Sequence, residues 1–324
     1  MIGSRGTALR VGGLQLSRVL AGSKASETSC DLTSKVSPVR KKTTGPCDTG
    51  FIHSSPAIMP ETSPYPMLEK LGLLNKDHIC IKDPGHVEEL ISTLVSDGFT
   101  KLQLVVDFDF TLTRVHVNSQ RCHCSWGIMD NSSLMPAFYR EEANALLAKY
   151  YPIEIDPHMT EEEKIPYMIE WYGQIHKLIV KCKVSQGSLA EMVAASNAML
   201  RDGTEDPILA KICHPHSLCS IIFQGVMIGF KGDLIHMFNK NENAIHSSNY
   251  FDKLKGRSNV ILMGDSMGDI KMAVGVPQPN NVLKIGFLND KIEERLDTYM
   301  NAFDIVLIDD QTMDVVNSIV NLMA

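Results

Sequence analysis

The sequence lacks several features that would assign it at once to a simple class of protein. No uninterrupted apolar run approaches the length that crosses a bilayer, so we predict neither a transmembrane helix nor a membrane partner. Basic residues do not predominate, and a formal net charge of −7 argues against a nucleic-acid polymer as the main partner. Internal repeats are missing as well. A chain of 324 residues, 44% of them hydrophobic, suits one large α/β domain with an insertion, or two modest domains.

Closely paired cysteines are also missing. The eight cysteines are scattered and no secretory signal precedes them, so we expect free thiols in a reducing compartment. The candidate zinc ligands form two clusters, one of Cys122, His123 and Cys124, the other of Cys213, His214, His216 and Cys219. Neither cluster has the C-x-x-C spacing that is typical of zinc sites. A zinc site is therefore the less favoured interpretation.

The first sixty residues differ in composition from the rest. Up to residue 26 the chain has no acid and four basic residues: Arg5, Arg10, Arg18 and Lys24. This composition is typical of a mitochondrial transit peptide, but a disordered cytosolic tail explains it equally. The Ser, Thr, Pro and Lys content from Thr33 to Pro64 favours disorder in either case. We therefore predict a disordered tail and a cytoplasmic protein, with mitochondrial targeting as the alternative.

Patterns of regular structure begin near Met67. Helical spacing of apolar residues from Val87 to Val95 predicts a helix, and the β-rich run from Lys101 to Val106 predicts a strand that ends at Asp107. From residue 132 to residue 202 the pattern is mostly helical. Thr160 and Glu163 make a capping box there. The predicted domains are a tail of residues 1–64, a catalytic core of residues 65–114 and 204–324, and an inserted helical cap of residues 115–203.

Two further signals concern the ends of cap helices. Pro136 suits the first turn of a helix, because its fixed backbone angle and missing N–H cost nothing there. Gly203 is predicted to end a helix after the alanine-rich run 189–200, since glycine readily adopts the left-handed conformation that closes many helices.

Beyond the cap, short apolar strands alternate with helical patterns. The predicted strands are Asn259 to Met263, Val282 to Phe287 and Phe303 to Ile308, and the predicted helices are Asp290 to Met300 and Thr312 to Leu322. Such alternation predicts an α/β fold with a Rossmann-like parallel sheet covered by helices. Ligands of such sheets lie beyond the carboxyl ends of the strands. Asp107 and Asp265 both follow strands, so we expect them at the same edge.

Two pairs of carboxylates follow predicted strands. Asp107 and Asp109 come directly after the first strand, and Asp265 and Asp269 lie in the turn after another. Like charges so close together disfavour one another's ionisation, and a cation between the two turns would relieve the repulsion. Magnesium prefers few carboxylates plus phosphate oxygens. Either pair alone could merely cap a helix or a turn, but both in this order indicate a magnesium site.

These motifs resemble those of a known superfamily. Asp107-Phe-Asp109-Phe-Thr111 is similar to the D-x-D-x-T signature of haloacid dehalogenase phosphatases, and the GDSMGD run at 264–269 is similar to their fourth, metal-binding motif. Longer stretches resemble the cytosolic pyrimidine 5′-nucleotidases, namely residues 150–157, 168–172, 229–240, 284–290 and 299–307. That group includes enzymes acting on 7-methylguanosine monophosphate. The resemblance covers about residue 66 to the C-terminus with one gap, and it implies a haloacid dehalogenase-like core.

The resemblance also implies a magnesium-dependent nucleoside monophosphate phosphohydrolase. A monomer is our expectation, although no motif in the sequence determines the oligomeric state. Asp107 would attack the substrate phosphorus and form an aspartyl-phosphate. Asp109 would protonate the departing nucleoside oxygen and later take a proton from water. Mg²⁺ would be held by the Asp107 carboxylate, the Asp109 backbone carbonyl and Asp265. Thr111, in the same signature as Asp107, would support the site.

Three further residues take roles from the same resemblance. Lys240 would neutralise phosphate charge, and Asp269 would support the metal from its outer shell. Glu154, in the cap, would accept a hydrogen bond from the nucleobase. Trp171 and Tyr172 could stack on a base, but aromatic residues at helical spacing are more often core, and we expect them there.

One segment of the family pattern is missing. The relatives have a strand that ends in Ser or Thr, whose hydroxyl binds the phosphate, between the cap and a His-Pro segment. Here Gly203 leads almost directly to His214-Pro215. Residues 220–225 could fill the gap, but they offer Gln224 in place of a hydroxyl and align better with the next strand. We therefore weigh two alternatives to the nucleotidase, a catalytically impaired nucleotide- and metal-binding module and a phosphatase of another small phosphate ester.

Overall fold

A five-stranded sheet forms the centre of the molecule in a computed structural model, which describes residues 9–10, 63–156, 158–206, 219–231, 234–240, 256–274, 276 and 279–324. The strands of the structure are β1 (Leu9–Arg10), β2 (Ile79–Cys80), β3 (Leu102–Val106), β4 (His116–Val117), β5 (Gln120–Arg121), β6 (Cys219–Phe223), β7 (Val226–Lys231), β8 (Asn259–Gly264), β9 (Asn281–Leu288) and β10 (Ile305–Ile308). The order in the central sheet is β2-β10-β9-β8-β3. β3, β8, β9 and β10 run parallel, and β2 is antiparallel to β10.

Eight helices accompany these strands in the described residues. They are α1 (Pro66–Lys70), α2 (Pro84–Asp97), α3 (Ser125–Asp130), α4 (Ala137–Glu154), α5 (Glu161–Lys181), α6 (Gln186–Ala195), α7 (Ile292–Ala302) and α8 (Asp314–Asn321). A short 3₁₀ helix, Met267–Ala273, follows β8. None of the helices in the described ranges is both long and apolar enough to cross a membrane. The predicted α/β fold with a parallel sheet is confirmed.

The sheet is buried on both faces because its strands are almost wholly apolar. Successive side chains of a strand point to opposite faces. In β8, Ile261 and Met263 therefore pack with helices α2 and α8, while Val260 and Leu262 pack towards α7 and the 3₁₀ helix. Helix α2 is capped at its start by Asp83, whose carboxylate accepts a hydrogen bond from the His86 amide at 3.0 Å. The predicted positions of β3, β8, β9, β10, α2, α7 and α8 are correct to within a few residues.

The cap has its own hydrophobic cluster, formed by helices α3 to α6. Tyr139, Ile179 and Met192 are buried there. The predicted capping box is present, since Thr160 and Glu163 exchange hydrogen bonds at the start of α5. Pro136 is the residue directly before α4, as its sequence position suggested.

The prediction for Gly203 is wrong. Helix α6 ends at Ala195, eight residues earlier, where Ser196 is extended and its hydroxyl caps the Val193 carbonyl at 2.8 Å. The following residues pair with the core instead, with Leu200 bridged to Thr113. Tertiary pairing therefore overrides the helical pattern there.

A second sheet of three antiparallel strands, β1-β6-β7, lies outside the central one. Met227 of β7 is buried in the cap cluster, and the Phe230 ring stacks on His176 of α5 at 4.0 Å. The hairpin β6–β7 thus packs on the cap, although the sequence analysis grouped its residues with the core. The rest of the predicted N-terminal tail, apart from β1 and residues 63–64, lies outside the described residues.

Candidate active site

Two adjacent parallel strands bring the first and the second acidic turn together. Asp107 directly follows β3, and Asp265 directly follows β8, its parallel neighbour in the sheet. The Asp107 amide donates to the Met263 carbonyl at 3.0 Å, which continues the hydrogen-bond ladder between β3 and β8 as far as Asp107. The Tyr299 hydroxyl donates to the Asp265 carbonyl at 2.6 Å and fixes the second turn. Both acids therefore meet at the edge of the sheet that the carboxyl ends of its parallel strands form, as expected.

Three carboxylates converge at this edge. Oxygens of Asp107, Asp265 and Asp269 all lie within 4.8 Å of one another. Asp269 is fully buried, and its Oδ2 accepts hydrogen bonds from the Ser266 amide at 2.9 Å and hydroxyl at 2.7 Å. Its Oδ1 makes no hydrogen bond within the described part of the chain. One buried acceptor thus points towards the cluster without a donor.

Lys240 is the positive charge of this cluster. Its Nζ lies 3.1 Å from Asp107 Oδ1 and 3.5 Å from Asp269 Oδ1. Burial by itself lowers the pKa of Lys240, but Asp107 and Asp269 outweigh it and raise that pKa above the usual value. The ammonium group is therefore permanently charged at neutral pH.

The charges of the cluster fit a divalent cation. Burial raises the pKa of Asp265 and of Asp269, and the neighbouring carboxylate of Asp107 raises both further. One ammonium group cannot balance three carboxylates, and Asp269 Oδ1 has only an ion pair with Lys240 at 3.5 Å and no hydrogen bond within the described part of the chain. Hard oxygen ligands at this spacing suit Mg²⁺. The residues present fit the ion that the sequence analysis predicted, with Asp269 inside the cluster as well as Asp107 and Asp265.

Asp109 is held apart from the cluster by the first turn of α3. Its Oδ1 accepts hydrogen bonds from both the amide and the hydroxyl of Ser125, each at 2.7 Å. Burial raises the pKa of Asp109 to about 6, partly offset by Ser125, and the Asp107 charge adds to the increase. A carboxyl group that titrates near neutrality can both give and take a proton, which is what a general acid–base needs.

The raised pKa of Asp109 predicts that the free energy of unfolding depends on pH. The folded protein binds a proton there more tightly than the unfolded chain, whose aspartates titrate near 3.9. The associated stability is fully present below about pH 4 and is lost as the pH rises to about 6. Above pH 6 the ionised Asp109 costs at most about 3 kcal/mol, because part of the residue remains in contact with water. Asp109→Asn keeps an acceptor oxygen for Ser125 and removes that cost.

We therefore expect metal-free Asp109→Asn to unfold at higher urea concentration than the wild type at pH 7.5, and at the same concentration at pH 4. Urea unfolding in EDTA measures this difference. Asp297→Asn, the same change on the exposed face of α7, is the control and should have no effect at either pH. A gain that is equal at both pH values would show that the charge of Asp109 is not its cause.

The cap supplies Glu154 and Tyr172 to the same crevice. Burial raises the pKa of Glu154, while Lys240 and Lys164 lower it, so the carboxylate faces the core lysine. Burial, with a smaller contribution from the charge of Glu154, raises the pKa of Tyr172 to about 12. Tyr172 thus faces the site, and its ring meets the edge of Trp126 at 6.2 Å. Trp171 instead stacks on Tyr150 within the cap at 5.8 Å. Tyr172 is itself half-buried and its ring meets that of Trp171 edge-on at 5.8 Å, so it packs among the aromatic residues of the cap while it borders the crevice.

A cavity of about 470 Å³ adjoins the acid cluster. Its walls include Ile155 of the cap, and Phe110, Asp265 and Asn289 of the core. Asp107 and Lys240 are not among them, so the cavity lies beside the cluster on the Asp265 side. Its volume is within the range that takes small molecules.

Three residues near the site were not foreseen from the sequence. Ser125 holds Asp109, Trp126 stands beside Tyr172, and Arg201 contacts the loop after Asp109. Ser125 begins a helix, and a hydroxyl residue at a helix start is a weak signal. Arg201 is, in the sequence, only a charged residue after two apolar ones, and that pattern does not indicate a role in a site. Thr111, predicted to support the site, is fully buried in that loop.

The candidate zinc cluster does not form within the described residues. Cys122 and Cys124 are free thiols, and the Cys124 sulfur accepts from the Gly127 amide at 3.4 Å as the cap of α3. The acidic cluster is the one group of potential metal ligands in the described ranges. The second cluster of cysteines and histidines has side chains outside them.

The sequence of this chain is similar to those of known proteins. A sequence model of the family described as pyrimidine 5′-nucleotidase (UMPH-1) matches residues 110–224 and 219–324. The chain belongs to this family of pyrimidine 5′-nucleotidases. It is 42% identical over 284 positions to the 7-methylguanosine phosphate-specific 5′-nucleotidase of Homo sapiens, covering 78% of this chain and 95% of the relative. The enzyme of the same name from Drosophila melanogaster is 35% identical, with 79% and 90% covered.

The fold agrees with the family. The crystal structure of cytosolic 5′-nucleotidase IIIB bound to cytidine superposes with a TM-score of 0.70 at 34% identity, covering 79% of this chain and 97% of that one. That neighbour has a haloacid dehalogenase-like fold, so the predicted fold is confirmed. The relatives are named 5′-nucleotidases, which are hydrolases of phosphoric monoesters.

The alignment with the pyrimidine 5′-nucleotidases also has a gap on the side of this chain. The 284 aligned positions would be about 88% of 324 residues, yet they take up 78%, so about thirty positions of the human relative lack a counterpart here. The two matches of the family model overlap at residues 219–224. Strand β6 thus aligns with the family positions before the missing segment and also with those after it.

The structure places that strand away from Asp107. β6, which holds Ser220, pairs with β1 and β7 and has no place in the central sheet. It is therefore not a neighbour of β3, the strand that Asp107 follows, in agreement with its alignment to the next strand of the family. In the described residues β3, which Asp107 directly follows, is an edge strand of the central sheet. Residues 207–218 lie outside the described ranges.

Proposed function

We propose that this chain is a magnesium-dependent 5′-nucleotidase that hydrolyses nucleoside 5′-monophosphates with a pyrimidine or 7-methylguanine base. The observation that carries the proposal is the convergence of Asp107, Asp265 and Lys240 at the carboxyl ends of two adjacent strands. The names of the relatives support the substrate class. We further propose a cytosolic monomer, in line with the cytosolic neighbour.

The proposed reaction passes through a covalent intermediate on Asp107. Its carboxylate attacks the phosphorus and the bond from phosphorus to the nucleoside oxygen breaks, while Asp109 gives its proton to that oxygen. Water then attacks the aspartyl-phosphate, Asp109 takes the proton, and phosphate leaves with Asp107 restored. Lys240 neutralises the phosphate charge throughout. Bound Mg²⁺, held by the carboxylates of Asp107 and Asp265 and the Asp109 carbonyl, would supply further positive charge.

Recognition of the base is assigned to the cap. Glu154 is half-buried, faces Lys240 across the crevice and can accept from an exocyclic amino group, which cytosine and 7-methylguanine both carry. The side chain of Tyr172 lies beside it and offers an aromatic face. The reacting phosphate and the base would thus be held by different domains.

The experiment is phosphate release from CMP, UMP and 7-methyl-GMP, with Mg²⁺ and with EDTA. We expect release only with Mg²⁺. We also expect Glu154→Gln to lower kcat/KM for CMP or 7-methyl-GMP roughly 10- to 100-fold, the scale of a hydrogen bond to a charged group. Glu162→Gln, at an exposed acid of the same cap, is the control and should leave kcat/KM unchanged. Equal release from sugar phosphates would point instead to a phosphatase of other small esters.

A nucleotide-binding module is the second candidate. Two observations favour it, the position of β3 at the edge of the described sheet and the alignment positions that lack a counterpart. Metal-dependent binding of 7-methyl-GMP with no phosphate release would identify this module. Calorimetric titration beside the release assay separates the two functions.

A further inference from the structure

Arg201 is a buried charge that the proposed reaction does not use. It is 1% exposed and lies in the segment that leads from the cap back to the core. Within the described residues no carboxylate comes within ion-pair distance of it, and its Nη1 has no hydrogen-bond partner. Burial lowers the pKa of Arg201 to about 10, although Asp310, Asp265 and Asp309 oppose the shift. Burying an unpaired guanidinium is costly, so its remaining contacts must explain its position.

Those contacts go to the loop directly after Asp109. Arg201 Nε donates to the Thr111 carbonyl at 2.7 Å, and Nη2 donates to the Phe110 carbonyl at 2.6 Å. Nη2 also reaches Asn289 Oδ1 at 3.1 Å, and Asn289 Nδ2 donates to the same Phe110 carbonyl at 3.1 Å. The guanidinium lies 4.2 Å from the centre of the Phe287 ring. Arg201 and Asn289 thus hold one carbonyl from two sides.

The loop they hold has an unusual backbone. Phe110 has φ +60°, a left-handed conformation that side chains other than glycine rarely adopt. Its amide donates to Thr113 Oγ1 at 2.8 Å, so the residue is fixed at its amide as well as at its carbonyl. Such strain persists where the surroundings over-determine it, commonly at functional sites. Without Arg201, two of the bonds that enforce the turn would be lost.

The angle φ of Phe110 is the rotation about its N–Cα bond, and this rotation turns the peptide unit that joins Asp109 to Phe110. It therefore sets the direction of the Asp109 carbonyl relative to the rest of Phe110. We infer that Arg201 is a positioning residue, which holds the Phe110 turn so that the Asp109 carbonyl faces the metal site. The inference rests on the proposed function for that carbonyl's role as a ligand. Arginine suits the task because its planar fork reaches two carbonyls at once, whereas lysine offers a single ammonium group.

Two measurements on the full chain test the role without relying on turnover. The first is hydrogen exchange of the Phe110, Leu112 and Thr113 amides in metal-free protein, and the second is calorimetric titration with Mg²⁺ alone. For Arg201→Met we expect faster exchange of these amides and Mg²⁺ binding weakened roughly 10- to 100-fold, the scale for residues that orient metal ligands. Arg201→Lys should give a smaller loss of the same kind.

Arg114→Met is the matched control. Arg114 is also partly buried and contacts the same segment, through the Leu200 carbonyl at 3.2 Å and an ion pair with Asp202, but not residues 110 and 111. We expect it to keep the loop protection and the Mg²⁺ affinity of the wild type. Equal losses in both variants would overturn the inference, because they would show a general effect of loosening the segment.

The remaining outcomes are also decisive. If Arg201→Met does not fold, Arg201→Lys and Asn289→Ala replace it, and wild-type exchange and Mg²⁺ affinity in both would overturn the inference. If the wild type binds Mg²⁺ but releases no phosphate, the proposed function fails while both measurements still stand. If the wild type binds no Mg²⁺, the ligand role of the carbonyl is overturned and the exchange data test the loop alone.

Discussion

Asp107→Asn is expected to reduce phosphate release from 7-methyl-GMP on the order of 10⁴-fold or more, the scale on which removing a covalent nucleophile acts. An amide oxygen is too weak a nucleophile to form the acyl phosphate. The geometry adds a second reason, since Lys240 lies 3.1 Å from Asp107 Oδ1 and would lose the negative charge that it faces there, although the amide oxygen can still accept its hydrogen bond. A steady-state phosphate assay with Mg²⁺ measures the change.

The same assay needs a control for lost charge alone. Asp297→Asn makes the identical substitution on the exposed face of α7 and should retain full activity. Circular dichroism of Asp107→Asn should match the wild type, because the Asp107 backbone, not its side chain, bonds to β8. Turnover that survives in the folded variant would exclude the aspartyl-phosphate route.

Restoring a family segment after Gly203 is expected to raise turnover on the order of a hundredfold or more, because a missing oxyanion donor costs about that much. The segment of about thirty positions would be taken from the human relative. It would also give β3 a second partner strand and cover apolar edge, so we expect a higher urea midpoint for unfolding. Both turnover and the urea midpoint are measured against the chain as it stands.

An insertion of equal length built from Gly and Ala is the matched control. It changes the loop length without supplying a strand or a hydroxyl, and we expect no gain in either quantity. Unchanged turnover and stability on restoring the family segment would refute the interpretation of the gap. A gain in stability alone would mean that the strand matters to folding and the hydroxyl does not matter to chemistry.

The sheet could be predicted well because its strands are buried on both faces. A continuous apolar run such as Val260 to Met263 predicts a strand that is buried on both faces. An acid that follows such a strand lies beyond its carboxyl end, where ligands of parallel sheets bind. Asp107 and Asp265 were located in this way. The resemblance to the family then supplied Lys240 and Glu154, which no local pattern singles out.

The features that were missed depend on contacts between distant parts of the chain. Gly203 looked like a helix stop, but segment 199–202 pairs with residues 112–114 and 311–313 instead. Tyr172 packs among cap aromatics as its spacing suggests, but its proximity to the crevice could not be read from that spacing. Arg201 contacts carbonyls some ninety positions away in sequence, and no periodicity records such a contact.

The central claim is that the phosphoryl group passes to the Asp107 carboxylate, and the most direct measurement traps it there. The chain is quenched during turnover of 7-methyl-GMP with Mg²⁺ and reduced with borohydride, which converts an acyl phosphate to an alcohol, and its peptides are analysed by mass spectrometry. The account predicts reduction at position 107 and nowhere else. Phosphate release with position 107 unmodified, or reduction at another acid, would contradict it.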